Sequence, residues 1–163
     1  MKLFTSLILL SLAVTGAQAK PDFSGVWVQD MSLLQTTIKV DQKAKSMGLQ
    51  PTPITITQTA DTVRLQHAPP FPDWKGQLYV YNLAGKETKN YNGANIQTTK
   101  SRWDGNKLVI EGTSYSETSQ GESTWKLVET IWLDAKGRLI IERRMTDERG
   151  KTDIVTQTHE RKK

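Results

Sequence analysis

The stretch Asp22-Phe23-Ser24-Gly25-Val26-Trp27-Val28-Gln29 decides the fold that we predict for this chain. Its two valines lie on one face, and Phe23, Gly25 and Trp27 lie on the other. Such alternation, with β-branched and aromatic residues, is typical of a β-strand. Gly25 has no side chain to pack, so we expect another part of the chain to approach its backbone closely. The stretch therefore predicts the first strand of a sheet.

Strand and turn patterns continue from residue 53 to the end of the chain. Alternation favours strands at 54–58, 62–66, 78–83, 96–103, 107–112, 123–133, 138–146 and 151–160, and leaves the polar stretches 88–95 and 113–121 unassigned. The turns at 104–106 and 134–137 combine Asp with Gly, as tight hairpins require. Short connections force an antiparallel meander, which commonly closes to remove its edges. We predict an all-β fold, an antiparallel up-and-down β-barrel of about eight or nine strands.

Residues 32–47 have helical periodicity instead. Ser32 and Gln35 show the spacing of a capping box, small and apolar residues recur at helical intervals, and Gly48 and Pro51 follow. We predict one amphipathic helix after the first strand, which is either a fixed lid or a gate over the barrel interior.

Residues 1–19 have the pattern of a secretory signal peptide. Lys2 precedes an apolar run over 3–14, and Ala17-Gln18-Ala19 matches an Ala-x-Ala cleavage site. The apolar run is short for a membrane span and is interrupted by Ser and Thr. We predict cleavage after Ala19, a single barrel domain over residues 20–163 with no integral membrane segment, and a periplasmic or secreted location. An uncleaved membrane anchor is the alternative.

Composition and charge narrow the class of partner. The 163 residues carry a net charge of +5 and include no Cys, so the fold must rely on its core and not on disulfides. Basic residues are interspersed with acidic ones, and the one basic run, residues 161–163, is interpreted as a solvated tail. A nucleic-acid-binding surface needs a clustered basic patch with stacking aromatics, so we predict no nucleic-acid partner.

The opening residues Asp22-Phe23-Ser24-Gly25-Val26-Trp27 resemble the DFSGxW start of small exported bacterial proteins that are described as lipocalin-like, calycin-type β-barrels. Residues 103–110 and 139–143 also resemble that group, and Gly25-x-Trp27 is similar to the G-x-W signature of the lipocalin and fatty-acid-binding superfamily. The resemblance implies that Trp27 lies near the closed end and stacks with an Arg of a late strand, either Arg143 or Arg144. Gly25, Trp27 and Arg143 are thus expected to close the barrel. The second lipocalin signature, T-D-Y, is absent.

No catalytic arrangement is apparent in the sequence. There is no G-x-S-x-G, no phosphate-binding Gly-rich loop and no Cys nucleophile. His67 and His159 lack metal-ligand spacing, and we expect His159 to be exposed at a strand end. Most strand acids, including Glu111, Glu129 and Glu142, are expected to be solvated, although one that points inward could act as an acid or base. We predict no catalytic residue, metal or cofactor. An enzyme that uses an interior carboxylate, or His159 with haem, is the least supported alternative.

Aromatic residues between positions 69 and 81 are the candidate ligand-binding residues. Phe71 and Trp74 lie on a Pro-rich loop, and Tyr79 and Tyr81 lie on the strand that follows it. Large aromatics are costly to expose, so they either plug the barrel mouth or contact a partner. We predict an exported protein that holds a small hydrophobic or amphipathic ligand in its barrel. The alternative is a filled barrel that binds an envelope protein partner through Phe71, Trp74 and the basic face of the helix.

Overall fold

The computed structural model describes residues 19–36, 52–69, 75–119 and 121–162. Eleven strands form in these ranges: β1 (Gly25–Gln29), β2 (Gln35–Thr36), β3 (Ile54–Gln58), β4 (Thr62–His67), β5 (Leu78–Asn82), β6 (Thr88–Asn92), β7 (Asn95–Asp104), β8 (Lys107–Thr118), β9 (Gly121–Leu133), β10 (Leu139–Thr146) and β11 (Thr152–Arg161). Nowhere in these ranges does a helix have the length and apolar character needed to cross a membrane.

The strands form one antiparallel sheet that curls into a nearly closed barrel. Strands β3 to β5 and β6 to β11 follow one another as two meanders, and β1 joins them by pairing with both β3 and β11. The short strand β2 pairs with β11 beside this path. The prediction of an all-β antiparallel barrel is therefore confirmed.

The predicted number of strands was too low. Ten strands lie on the continuous path, and the additional one is β6, in the polar stretch that the alternation left unassigned. Its buried residue is Asn90, so its inner face carries no apolar signal. The Ser/Thr-rich stretch also belongs largely to the sheet, because β8 continues to Thr118.

The predicted helix is wrong in the part of it that the structure describes. Met31–Leu33 is a single 3₁₀ turn, and β2 follows directly. The cap is Asp30, whose Oδ1 accepts hydrogen bonds from the amide (2.9 Å) and hydroxyl (2.6 Å) of Ser32. Thr36 is β-branched, as are the next two residues in the sequence, which lowers helix propensity at this point. Residues 37–51 lie outside the described ranges, and the described part of the chain contains no α-helix.

Side-chain amides join β5 to β6, where the two ends of the strand path meet. Asn90 Oδ1 accepts from the Val80 amide at 2.7 Å, and Asn90 Nδ2 donates to the Val80 carbonyl at 3.2 Å. Asn92 Oδ1 accepts from the Leu78 amide at 3.2 Å. These bonds satisfy edge groups that a backbone ladder would otherwise pair. We call this contact, made by Asn90 and Asn92, the β5–β6 seam.

Aromatic residues fill the closed end of the barrel. Trp27 and Phe23 are fully buried, and Trp27 Nε1 donates to the Phe23 carbonyl at 2.9 Å. The guanidinium of Arg161 lies 4.4 Å from the centre of the Trp27 ring and donates to the Ser24 carbonyl. A Cβ added at Gly25, whose φ is 142°, would lie 2.5 Å from Arg161 Nη1. Gly25 thus leaves room for this arginine.

The arginine that covers Trp27 is therefore not one of the two that the resemblance suggested. Arg143 turns to the interior and pairs with Glu129, and Arg144 pairs with Glu142 on the outside. Arg161 reaches Trp27 because β11 pairs with β1 and places the two residues directly opposite each other. Arg161 is exposed, as its interpretation as part of a solvated tail predicted, but it belongs to β11 and is held against Trp27.

Candidate functional site

The inner face of the barrel follows from the register of its strands. In β9 the buried residues Leu127, Glu129 and Ile131 alternate with partly exposed ones. Residues directly opposite each other in a sheet share a face. The partners of Glu129 are Ile110 on β8 and Arg143 on β10, so both belong to the inner face.

A buried ion pair lies at mid-height on this face. Glu129 is 1% exposed at its side chain, and its Oε2 lies 2.7 Å from Arg143 Nε and 2.6 Å from Arg143 Nη2. The carboxylate beside it raises the pKa of Arg143, so the guanidinium keeps its charge. Arg143 is less deeply buried than its partner, with 33% of its side chain exposed. The pair is neutral as a unit.

Tyr81 completes this cluster. Its hydroxyl donates to Glu129 Oε1 at 3.0 Å, which satisfies the second carboxylate oxygen. Burial, together with the charge of Glu129, raises the pKa of Tyr81 well above its usual range, so it remains a neutral donor. Tyr79 stacks on Tyr81 with ring centres 6.5 Å apart and an interplanar angle of 12°. Burial likewise raises the pKa of Tyr79.

Both histidines lie on the inner face. His67 packs edge-on against Tyr79 with ring centres 5.7 Å apart. The pKa of His67 is lowered mainly by burial and also by the positive charge of Arg143. His159 is 1% exposed, and burial lowers its pKa to about 4. The expectation that His159 is exposed is wrong, because register places it opposite Gln29 and Leu139 and inside the barrel. Both imidazoles are neutral at neutral pH.

The open half of the barrel contains a cavity of about 380 Å³, which we call the open-end cavity. Each of the described residues that line it faces inward by register. The lining combines small polar side chains with a tryptophan and a methionine: Asn95, Ser114, Ser116, Ser123, Trp125, Met145 and Asp153. Among the described residues, the interior is therefore packed at the closed end and contains a cavity in the other half.

A second cavity of about 350 Å³ adjoins the first at the rim and is called the rim cavity. The two cavities share Ser123 and Trp125. The remaining lining of the rim cavity comes from the starts of β9 and the turn after β10: Glu122, Thr124, Asp147, Glu148 and Arg149. Acidic side chains thus outnumber basic ones at this part of the mouth.

The structure brings some of the predicted site residues together. Tyr79 and Tyr81 are buried in the interior, whereas Phe71 and Trp74 lie outside the described residues. Glu129 is the strand acid that points inward. Glu111 and Glu142 face outward, where they pair with Arg102 and Arg144.

Sequence reasoning missed the polar residues of the inner face. Gln97, Thr99 and Ser101 of β7 are buried, as is Ser114 of β8. Their alternation is visible in the sequence, but a polar inner face on a strand looks like a solvated face unless its partner strand is known. The described residues include no group of three or more His, Cys, Asp or Glu side chains that could hold a metal ion.

Several solved structures share this barrel fold. Zebrafish ileal bile acid-binding protein in complex with cholic acid superimposes with a TM-score of 0.60 and 16% identity, over 86% of this chain and 98% of that chain. A fatty acid transporter named REP1-NXSQ superimposes with a TM-score of 0.55 and 12% identity, over 86% of this chain and 96% of that chain. Human cRBP IV superimposes with a TM-score of 0.52 and 16% identity, over 87% of this chain and 99% of that chain. The fold is that of the fatty-acid-binding, calycin-like barrels.

Identities this low show the shared fold alone. No protein-family model matches the chain, and no curated protein sequence matches it. The calycin-like barrel that the resemblance implied is confirmed. Membership of the exported DFSGxW group stays a prediction.

Proposed function

We propose that the protein is an exported binding protein that holds a small hydrophobic or amphipathic molecule in the open half of its barrel. The observation that carries this proposal is the open-end cavity, whose entire lining faces inward. Trp125 and Met145 provide apolar surface, and serine and asparagine provide placed polar groups, as in pockets for small molecules. The neighbouring structures support it, since their names include a bile acid-binding protein and a fatty acid transporter.

Filling the cavity tests the proposal. Ser114 lines the cavity, and Thr113 beside it is exposed on the outer face of β8. We expect Ser114→Phe to abolish displacement of an uncharged fluorescent dye such as Nile red, and Thr113→Phe to leave it unchanged. Native mass spectrometry of protein from its own host is expected to show a small-molecule adduct in the wild type. If no adduct is seen and the dye does not bind the wild type, the proposal is wrong.

The export part of the proposal rests on the signal-peptide pattern of residues 1–19. In the native host, the mature protein is expected in the periplasmic or culture fraction with Lys20 as its first residue. N-terminal peptide mapping of each fraction makes this measurement. Full-length protein retained in the cytoplasm would contradict it.

A further inference from the structure

We infer that the ligand of the open-end cavity carries a positively charged head group, an ammonium on an apolar stem, which binds beside Asp153 and Trp125. This inference rests on the proposed function and assigns the chemical class of its ligand. The names of two structural neighbours mention cholic acid and a fatty acid, whose head groups are carboxylates. The inference predicts a ligand whose head group has the opposite charge.

The interior offers no uncompensated cation for an anionic ligand among the described residues. Arg143 is held by Glu129 through two nitrogens within 2.7 Å of one carboxylate oxygen. Arg161 lies at the closed end, against Trp27 and the Ser24 carbonyl. A carboxylate in the cavity would therefore lose its hydration without gaining a free cationic partner.

Asp153 is the charged residue in the cavity lining. It lies opposite Met145, on the inner face of β11, and its side chain is 19% exposed. Its one ion pair, with Lys151 at 3.3 Å, involves a lysine that is 70% exposed. Because the lysine lies largely in solvent, the pair contributes little. An ammonium in the cavity can therefore replace Lys151 as the partner of Asp153 at small cost.

A buried acceptor beside the cavity also lacks a donor. Gln97 is 6% exposed and lies on the inner face opposite Ser114, a cavity residue. Its Oε1 accepts no hydrogen bond from any described residue. Gln97 lies behind the cavity lining and not in it, so its unpaired oxygen adds partial negative charge close to the cavity and makes no direct contact there.

The aromatic ring and the rim favour the same sign of charge. Trp125 lines both cavities, and its indole face is the best of the aromatic surfaces for binding a cation. Glu122, Asp147 and Glu148 line the rim cavity against one base, Arg149. The chain as a whole carries a net charge of +5, so this local excess of carboxylates runs against the average composition. A cleft lined by one sign of charge attracts ligands of the other.

Three ligands with one apolar chain and different head groups test the inference. Dodecylammonium, dodecanol and dodecanoate are titrated below their aggregation limits at neutral pH, with displacement of Nile red as the readout. We expect dodecylammonium to bind at least about tenfold more tightly than dodecanoate, with dodecanol between them. Equal affinities, or tighter binding of dodecanoate, would overturn the inference while leaving the proposed function intact. Failure of all three to displace bound dye would overturn the inference, whereas failure of the dye itself to bind, with no adduct, is the result that contradicts the proposed function.

A pair of variants with equal net charge separates a local effect from a global one. Asp153→Asn removes the cavity carboxylate. Asp104→Asn removes an exposed carboxylate from the end of β7 that is far from the cavity, since the cavity is lined by Asn95 at the start of that strand. We expect Asp153→Asn to weaken dodecylammonium binding at least about fivefold and to leave dodecanol binding unchanged. Asp104→Asn should change neither. An identical response of both variants would overturn the assignment of Asp153.

Discussion

Replacing Arg143 with methionine leaves the Glu129 carboxylate buried with the Tyr81 hydroxyl as its remaining hydrogen-bond partner among the described residues. Methionine has a similar length and is apolar, so the change removes the charge and the donors with little loss of volume. The structure predicts a large loss of stability, because Glu129 is 1% exposed at its side chain and water can replace the guanidinium only in part.

The size of the loss follows from the burial of each partner. Removing one member of a buried ion pair costs about 3 to 5 kcal/mol. Arg143 is 33% exposed at its side chain, so its site is partly open to solvent and the lower value, about 3 kcal/mol, applies. For a chain of this length the midpoint of thermal unfolding should fall by roughly 10 °C.

A double-mutant cycle measures the pair itself. Urea unfolding, followed by tryptophan fluorescence and circular dichroism, gives the free energy of unfolding of the wild type, Arg143→Met, Glu129→Gln and the double variant. We expect the double variant to be more stable than Arg143→Met, because replacing both charges leaves none buried and unpaired. A loss below about 1 kcal/mol in Arg143→Met, or a double variant as unstable as the single one, would refute this account of the interior.

Three further predictions concern closure and the buried histidine. Arg161→Ala should lower the free energy of unfolding by about 1 kcal/mol, since it removes the cation from the Trp27 ring. Asn90→Ala should cost about 1 to 3 kcal/mol and accelerate hydrogen exchange of the Val80 amide, because both seam bonds to that residue are lost. Burial lowers the pKa of His159 to about 4, against about 6.5 when unfolded, so the unfolded state binds the extra proton and stability falls as pH drops through that window. His159→Leu should remove this contribution, up to about 3 kcal/mol.

Each of these predictions has a control, which is either a variant of the neighbouring residue or a comparison over the same pH range. Lys162→Ala and Lys89→Ala remove exposed side chains next to Arg161 and Asn90 and should change stability by less than about 0.5 kcal/mol. Hydrogen exchange at Val80 that is equally fast in Lys89→Ala and Asn90→Ala would contradict the role of the seam. Parallel pH profiles for wild type and His159→Leu between about pH 7 and pH 4 would show that the buried imidazole does not titrate as expected.

Local patterns predicted most of the strands because strand alternation and turn chemistry act over a few residues. The two turns that combine Asp with Gly, at 104–106 and 134–137, both form hairpins. Gly105 and Gly137 have the positive φ values that these turns need. The polar strand β6 was missed because its buried residue, Asn90, is not apolar. The start of the predicted helix failed because Asp30, not Ser32, caps the turn and β2 then pairs with β11.

The sequence alone determined an antiparallel barrel, its opening strand and the shared face of Leu127, Glu129 and Ile131, since these depend on alternation within one strand. Only the tertiary structure decided that this face is the interior, that Tyr81 meets Glu129 across 48 positions of the chain, and that Arg161 covers Trp27. The physical reason is register. The pairing of β1 with β11 closes the barrel, and a shift of one residue along any strand would exchange its inner and outer faces.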